Sequence, residues 1–410
     1  MKGRNLWIDN QPVTVFGNDT GAFYYEERAL LAAKPGDIVI VDYEIEPRYL
    51  YQLRKIADYR WVRIICLENR YCDLVESIRK WGKIDLLRKY INKNDFVIRS
   101  YIPDERINLL SQYLKIKANG IKFYEENRSQ LALISFLIEM KLNVIKTLPL
   151  NRSDIKDVSK FLIKNKCILC KPNFSIGGRG IVEINGITEL IKCYRLKKNG
   201  IEYILQKKMK INLEGSIQFL FEDGRFHIYV CRTYNPKGSY SGFSYPCKTK
   251  ILDQLKTDAE NILDFLMRKY KSDMDSFGID FIISDNRIFY HDFNARKTSV
   301  SYVLSFLKKI NSSFEKNDKF NIICLHFRTK ENISYNELQS ILEMSNIPNL
   351  VETGEGLMII NPGTINIGLI QVVSVSYLNR EKQYLEKFQE QLKEKGAEIQ
   401  WPDTAIQSVL

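Results

Sequence analysis

The most informative segment of the sequence runs from Gly278 to Arg296 and reads GIDFIISDNRIFYHDFNAR. Two apolar segments, Ile279–Ile283 and Ile288–Phe293, flank Ser284-Asp285-Asn286-Arg287, which is typical of a tight hairpin turn. The sequence therefore predicts two antiparallel strands. Asp280 lies on the first of them, and polar residues end the second.

These polar residues predict a cation site. Asp292 and Asn294 are two positions apart, so in a strand they point to the same face, and Asp280 can project beside them from the paired strand. Two carboxylates and an amide oxygen are hard donors that suit Mg²⁺ bridging nucleotide phosphates. Arg296 is again two positions further on and places a cation next to the metal. The alternative is a pair of surface acidic residues, but apolar residues surround Asp280, where a bare carboxylate is costly.

A second candidate site lies upstream, where an apolar strand ends at Lys171 and a loop follows. The loop reads Ser175-Ile176-Gly177-Gly178-Arg179-Gly180. Three glycines within four positions let backbone N–H groups approach a phosphate without obstruction by Cβ atoms, and Lys171 adds a positive charge. The alternative is a flexible hairpin turn with a solvated lysine, and this motif alone does not decide between the two.

A third candidate begins at the strand Tyr203–Met209, which is followed by Glu214. Backbone near Gln206 could face an adenine ring, and Glu214, eight positions later, could accept hydrogen bonds from ribose hydroxyls. Charged residues are common at the ends of strands, so an ordinary strand end is the alternative.

Charge and composition narrow the function classes. The 410 residues include 61 Lys+Arg and 49 Asp+Glu, a formal net charge of +12, which favours an anionic partner or reflects a lysine-rich proteome. No polybasic arm, RNA-reading signature or paired-cysteine zinc module is present, so nucleic-acid binding is not expected. The apolar stretches are far shorter than the roughly 20 residues of a membrane-spanning helix, and the amino terminus lacks a signal-peptide core. We expect a soluble cytoplasmic protein with no membrane partner.

The cysteines predict no metal or redox site. Cys167 and Cys170 have CxxC spacing, but no second pair follows at zinc-ribbon distance, and both lie in an apolar strand. We interpret the cysteines as structural thiols in a reducing compartment.

Three segments differ in pattern. Residues 1–120 alternate strand and helix signals, which predicts a small parallel sheet with helices on its faces. Residues 121–320 mix helices with antiparallel hairpins and include a long amphipathic helix from Leu252 to Tyr270. Residues 321–410 predict a small α+β unit, with a strand pair around Asn361-Pro362-Gly363-Thr364 and a charged terminal helix. No dinucleotide fingerprint or GxxxxGK[ST] loop appears.

The order and spacing of these motifs resembles the ATP-grasp superfamily, over about residues 121–312. The resemblance implies an ATP-grasp fold with a preceding α/β domain and a small C-terminal α+β domain, ATP as cosubstrate, and Mg²⁺, with Mn²⁺ as a substitute. It assigns Asp280, Asp292 and Asn294 to the metal and Arg296 and Arg232 to catalysis. The residues it assigns to ATP are Arg128, Lys171, Ser175, Gly177, Gly178, Gly180, Gln206, Met209 and Glu214.

The chain departs from the family pattern at three places. Asp292 replaces the usual Glu, Arg128 occupies the position of an early lysine, and Lys297-Thr298-Ser299-Val300 follows Arg296 where glycines are often found. The shorter Asp292 leaves full two-metal binding open, and the third change leaves the substrate end of the site open.

The C-terminal segment Gly354–Ile360 and the stretch Arg232–Pro246 resemble pheganomycin-type peptide ligases, a group that includes a butirosin-pathway ligase loading glutamate onto an acyl carrier protein. The resemblance implies activation of an amino acid, plausibly L-glutamate, as an acyl phosphate in antibiotic biosynthesis. Transfer to the phosphopantetheine thiol of an acidic acyl carrier protein is the leading expectation. Transfer to an amine, as in a peptide ligase, and a catalytically weak nucleotide-binding relative are the alternatives.

Overall fold

The computed structural model describes residues 3–10, 22–68, 73–150, 155–174, 180–186, 188–189, 191, 201–235, 240–270, 273–314, 320–329, 333–395 and 399–400. Within these ranges three β-sheets and their flanking helices organise the chain. The predicted phosphate-loop residues Ser175, Gly177 and Gly178 lie outside the described residues.

The first sheet is wholly parallel. Its strands are β1 (Arg4–Ile8), β2 (Ile38–Val41), β3 (Arg63–Cys66) and β4 (Phe96–Ser100), in the order β3-β2-β1-β4. The helices connecting or flanking them are α1 (Ala29–Ala32), α2 (Pro47–Arg54), α3 (Leu74–Lys80), α4 (Ile84–Lys93) and α5 (Glu105–Leu114). Every residue of β2 is buried, as expected for a strand of a parallel sheet covered on both faces. The predicted alternation of strands and helices is confirmed, and β1 is an additional central strand.

The second sheet is small and antiparallel. It contains β5 (Thr147–Pro149), β6 (Ile168–Pro172), β7 (Val182–Ile184) and β8 (Tyr203–Lys207), in the order β5-β8-β6-β7. The helices α6 (Ile121–Asn127), α7 (Gln130–Glu139) and α8 (Ile155–Asn165) belong to the same part of the chain. Lys171 lies at the end of β6, as the sequence predicted.

The third sheet is the largest. Its strands are β9 (Leu213–Glu222), β10 (Arg225–Tyr234), β11 (Gly242–Tyr245), β12 (Phe277–Ser284), β13 (Arg287–Asn294), β14 (Asn321–Thr329), β15 (Gly356–Ile360), β16 (Leu369–Ser376) and β17 (Ile399–Gln400). The order is β13-β12-β9-β10-β11-β14-β16-β15, with β17 paired to β14. The accompanying helices are α9 (Leu252–Tyr270), α10 (Ser299–Ser313), α11 (Tyr335–Met344), α12 (Leu350–Thr353) and α13 (Glu381–Glu394).

Local predictions in this sheet are confirmed. The β12–β13 hairpin, the α9 limits and the β15–β16 pair agree with the sequence. The sheet continues across position 320, because β11 pairs with β14. Gly242 has a φ of +147°, and a Cβ there would lie 2.1 Å from the carbonyl oxygen of Cys324. Glycine therefore allows β11 to reach the strand that follows.

The apolar core lies on the helix-covered faces of the sheets. Phe219 of β9 stacks on Phe277 of β12 with ring centroids 4.3 Å apart, and Phe123 of α6 meets Phe277 edge-on at 5.3 Å. Such contacts attach α6 to the face of the large sheet. Among the described residues no helix combines the length and apolarity that crossing a membrane requires.

Candidate functional site

The three predicted metal ligands converge at the β12–β13 hairpin. Asp280 and Asp292 are cross-strand partners, and Asn294 is paired with Gly278. The strand register shifts between Asp280 and Phe281, a bulge of the kind that redirects side chains next to functional sites. Two carboxylates directly opposite each other in a ladder repel one another, so the arrangement is unfavourable without a compensating cation.

Hydrogen bonds orient this cluster. Asn294 donates from Nδ2 to Oδ2 of Asp280 at 3.1 Å, which turns its amide oxygen away from that carboxylate. Asp292 accepts a hydrogen bond from the backbone N–H of Phe293 at 3.0 Å. Burial and the nearby Asp292 carboxylate raise the pKa of Asp280 to about 7, while hydrogen bonds from Ser216 and Asn294 act in the opposite direction.

Lys171 joins the cluster from the small sheet. Its side chain is buried, with 7% of its surface exposed, and Nζ donates to the carbonyl oxygen of His291 at 3.3 Å. Burial lowers the pKa of Lys171, and the carboxylates of Asp292 and Asp280 counteract that effect. The lysine of one sheet and the carboxylates of the other therefore face the same space. Burial also lowers the pKa of His291 to about 3, so its imidazole is neutral at physiological pH.

The predicted adenosine-binding residues occupy two places. Gln206 is buried in β8 and donates to Oγ1 of Thr147 at 3.2 Å, and Met209 is half-buried just beyond that strand. Glu214 is the second residue of β9 and accepts a hydrogen bond from Asn235 Nδ2 at 2.9 Å, and burial raises the pKa of Glu214. Gly180 has a φ of +77°, so glycine suits the end of the predicted phosphate loop.

The three predicted arginines differ in their surroundings. Arg296 is 8% exposed; its Nη1 donates to the carbonyl oxygen of Lys297 at 2.9 Å, and its guanidinium lies 4.6 Å from the ring centroid of Tyr101. Arg232 lies half-buried in β10, opposite Gly215 and Ser244.

Arg128 lies in the short connection between α6 and α7. It follows α6, is exposed and pairs with Glu125 at 3.0 Å, and its guanidinium lies 5.2 Å from the ring centroid of Phe174. Ser129 caps α7, and its side chain, not that of Arg128, satisfies a free N–H of the first turn.

Two groups at the site were not predicted. Gln130, the first residue of α7, donates from Nε2 to Oδ1 of Asp292 at 2.5 Å across 162 residues of sequence. Arg28 and Tyr101 belong to the N-terminal α/β region, and the Arg28 guanidinium lies 3.8 Å from the Tyr101 ring centroid, so that ring contacts both Arg28 and Arg296. No local pattern marks these residues, because each acquires its role through a distant segment.

The donor set fits a hard divalent cation. Asp280, Asp292 and the amide oxygen of Asn294 would hold Mg²⁺ or Mn²⁺, and the mutual repulsion of the carboxylates is what such a cation relieves. Lys171 adds a charge suited to phosphate. Among the described residues no group of three His, Cys, Asp or Glu side chains forms another candidate metal site.

Comparison with known proteins gives structural matches only. No protein-family model matches the chain, and no curated protein matches it in sequence. The solved structures include N5-carboxyaminoimidazole synthetase from Staphylococcus aureus complexed with ADP, with 14% identity, a TM-score of 0.57, and coverage of 94% of this chain and 97% of that chain. They also include an L-amino acid ligase from Bacillus licheniformis, with 15% identity, a TM-score of 0.56 and the same coverage.

Another similar structure is carboxyaminoimidazole ribonucleotide synthase from Aspergillus clavatus complexed with ATP, with 10% identity, a TM-score of 0.56, and coverage of 96% of this chain and 99% of that chain. These proteins are ATP-grasp ligases, and the similarity extends over nearly the whole of each chain. The chain therefore has the ATP-grasp fold, with an α/β region before it and an α+β region after it.

Proposed function

We propose that this protein is an ATP-dependent, ADP-forming ligase that activates a carboxylate as an acyl phosphate. The observation that carries the proposal is the convergence of Asp280, Asp292 and Asn294 from the large sheet with Lys171 from the small sheet. A buried lysine facing two carboxylates suits a triphosphate with its cation.

The reaction needs positioning and charge neutralisation more than a protein nucleophile. A substrate carboxylate oxygen attacks the γ-phosphorus, the bond to the β–γ bridging oxygen breaks, and ADP leaves. An amine or thiolate then attacks the acyl carbon and expels phosphate; the amine loses a proton. A bound Mg²⁺ or Mn²⁺ would supply charge neutralisation at the phosphates.

The chain's own cations contribute at defined places. Lys171 would hold a phosphate oxygen. Its ammonium donates to a single backbone carbonyl and faces the carboxylates of Asp280 and Asp292. Arg296 is buried, and its guanidinium donates to a backbone carbonyl, so it retains donors for an anionic acyl phosphate. We assign Arg232 to the substrate side of the site, with Gln206, Met209 and Glu214 on the adenosine side.

For the substrates we propose L-glutamate as the activated carboxylate and the phosphopantetheine thiol of an acyl carrier protein as the acceptor, in antibiotic biosynthesis. The resemblance of the C-terminal sequence supports this choice, and the net charge of +12 suits an acidic carrier. The similar fold of the Bacillus licheniformis L-amino acid ligase favours the second candidate, an amine acceptor.

ADP release with each of the twenty amino acids, with and without a holo carrier protein and with and without a dipeptide, tests both candidates. Release that requires the carrier supports the thiol acceptor, and release sustained fully by a peptide amine overturns it. If ADP binds tightly but no ADP is released with either acceptor, the protein binds nucleotide without ligase activity, and the proposal is overturned. The matched control for an Asp280→Asn variant is Asp253→Asn, at an exposed position of α9, which should release ADP as the wild-type chain does.

A further inference from the structure

The first turn of α7 contacts two of the segments that carry the candidate site, the residue after β6 and strand β13. The backbone N–H of Gln130 donates to the carbonyl oxygen of Asn173 at 2.8 Å, and that of Leu131 donates to Asn173 Oδ1 at 3.0 Å. Asn173 lies two residues after Lys171, so the free N–H groups of the helix are satisfied by the end of the lysine strand. This places the Gln130 side chain between β6 and β13.

The Gln130 side chain reaches the metal carboxylate. Its Nε2 donates to Oδ1 of Asp292 at 2.5 Å, and the same oxygen accepts the Phe293 N–H at 3.0 Å. Among the described residues Oδ2 of Asp292 has no hydrogen-bond partner. Two donors on one oxygen restrict rotation of the short side chain and keep the second oxygen available to a cation.

The other end of the Gln130 amide is unsatisfied. A carboxylate only accepts hydrogen bonds, so the amide must turn Nε2 toward Asp292, and Oε1 then points away from it. That oxygen is buried and has no hydrogen-bond partner among the described residues. Leaving a buried amide oxygen unpaired is costly, which indicates that it receives a donor when the site is filled.

We propose that Gln130 is a positioning residue: it holds Asp292 in its ligating orientation, and its buried Oε1 would accept a hydrogen bond when the site is filled. This inference rests on the proposed nucleotide and metal site. It goes beyond that site because it gives a role to Gln130, a neutral residue that the sequence did not assign to metal or nucleotide. The chemistry is that of an outer-shell partner, whose loss typically weakens metal affinity by 10- to 100-fold.

The test compares the wild-type chain with Gln130→Met, which keeps length but removes both amide functions. Mn²⁺ binding in the presence of ADP is followed by the electron paramagnetic resonance signal of free Mn²⁺, and ADP binding in EDTA is followed by calorimetry. We expect about 10- to 100-fold weaker Mn²⁺ binding and unchanged metal-free ADP binding. Gln130→Ala, which is smaller and a good helix former, is expected to behave alike and covers a folding failure of the first variant.

The control is Gln112→Met, an exposed glutamine on α5, which should leave both affinities unchanged. Equal losses of metal-dependent and metal-free ADP binding would indicate a purely structural effect on α7 and overturn the proposal, as would unchanged Mn²⁺ binding. If the wild-type chain binds Mn²⁺ with ADP but ligates nothing, the proposed function fails while the Gln130 inference is still decided by these affinities.

Discussion

Two aspartates five positions apart, Asp275 and Asp280, meet opposite electrostatic surroundings. Asp275 precedes β12 and is paired by its Oδ2 with Arg99 Nη1 at 2.7 Å and with Lys297 Nζ at 2.5 Å. Burial alone would raise the pKa of Asp275, but Arg99 and Lys297 outweigh burial and hold that pKa well below its usual range. The carboxylate is neutralised by the protein and joins β4 to the segment after β13.

Among the described residues Asp280 forms no such ion pair, and Lys171 and Arg296 act on it only at longer range. Its direct hydrogen-bond partners are the neutral side chains of Asn294 and Ser216, and it faces Asp292 across the ladder. Arg296 lowers the pKa of Asp280 only as a minor contribution, and the pKa is still raised to about 7. A buried carboxylate that forms ion pairs with protein cations maintains the fold, whereas one that faces another carboxylate is suited to a bound cation.

The largest expected effect is on turnover. Asp280→Asn keeps the shape of the side chain, removes one metal-ligating charge and relieves the repulsion of Asp292, so we expect ADP release to fall at least about 100-fold while the thermal unfolding midpoint is unchanged or raised. A coupled ADP assay and a thermal melt measure the two effects. Retained turnover in this variant would contradict the metal assignment.

The next effect is on stability at the other aspartate. Lys297→Met removes one of the two cations of Asp275, and loss of a buried partner destabilises by about 3 kcal/mol. Urea unfolding measures the change. The control is Lys55→Met, which breaks the ion pair of Lys55 with Glu352. These two side chains are 34% and 49% exposed, so the substitution should lower the free energy of unfolding by less than about 1 kcal/mol. Equal losses in the two variants would remove the distinction between buried and exposed pairing.

A further effect is the pH dependence of stability without metal or nucleotide. Because the folded pKa of Asp280 is raised, its contribution is fully present below the unfolded value near 4 and is lost as the pH rises to about 7. The wild-type chain should therefore lose stability relative to Asp280→Asn by at most about 1.4 kcal/mol per pH unit in that window. Urea unfolding at pH 5, 6 and 7 checks the slope.

Asp275 should behave in the opposite sense. Its folded pKa is lowered, so its stabilisation is present above the unfolded value and is lost as the pH falls below about 4.

A stability difference between wild type and Asp280→Asn that does not change from pH 5 to pH 7 would show that the repulsion between Asp280 and Asp292 is already compensated within the protein.

The local elements of this chain were readable from the sequence because each depends on near neighbours. The turn residues Ser284–Arg287 fixed the β12–β13 hairpin, and the apolar spacing from Leu252 to Tyr270 predicted α9 with its limits. Once the hairpin was known, the alternation of side chains in strands placed Asp292 and Asn294 on one face beside Asp280.

Other parts of the site depend on segments far apart in sequence. The bond from Gln130 to Asp292 joins residues 162 positions apart, and the Arg99–Asp275 pair joins residues 176 positions apart. No period or turn signal encodes such contacts.

The β12–β13 hairpin and the polar residues that it presents thus followed from the sequence alone. Which carboxylate forms ion pairs with protein cations and which one faces another carboxylate depends on the tertiary structure, because the electrostatic energy depends on distance in space. The same aspartate side chain, at positions 275 and 280, is an internal salt-bridge partner in one case and a candidate metal ligand in the other.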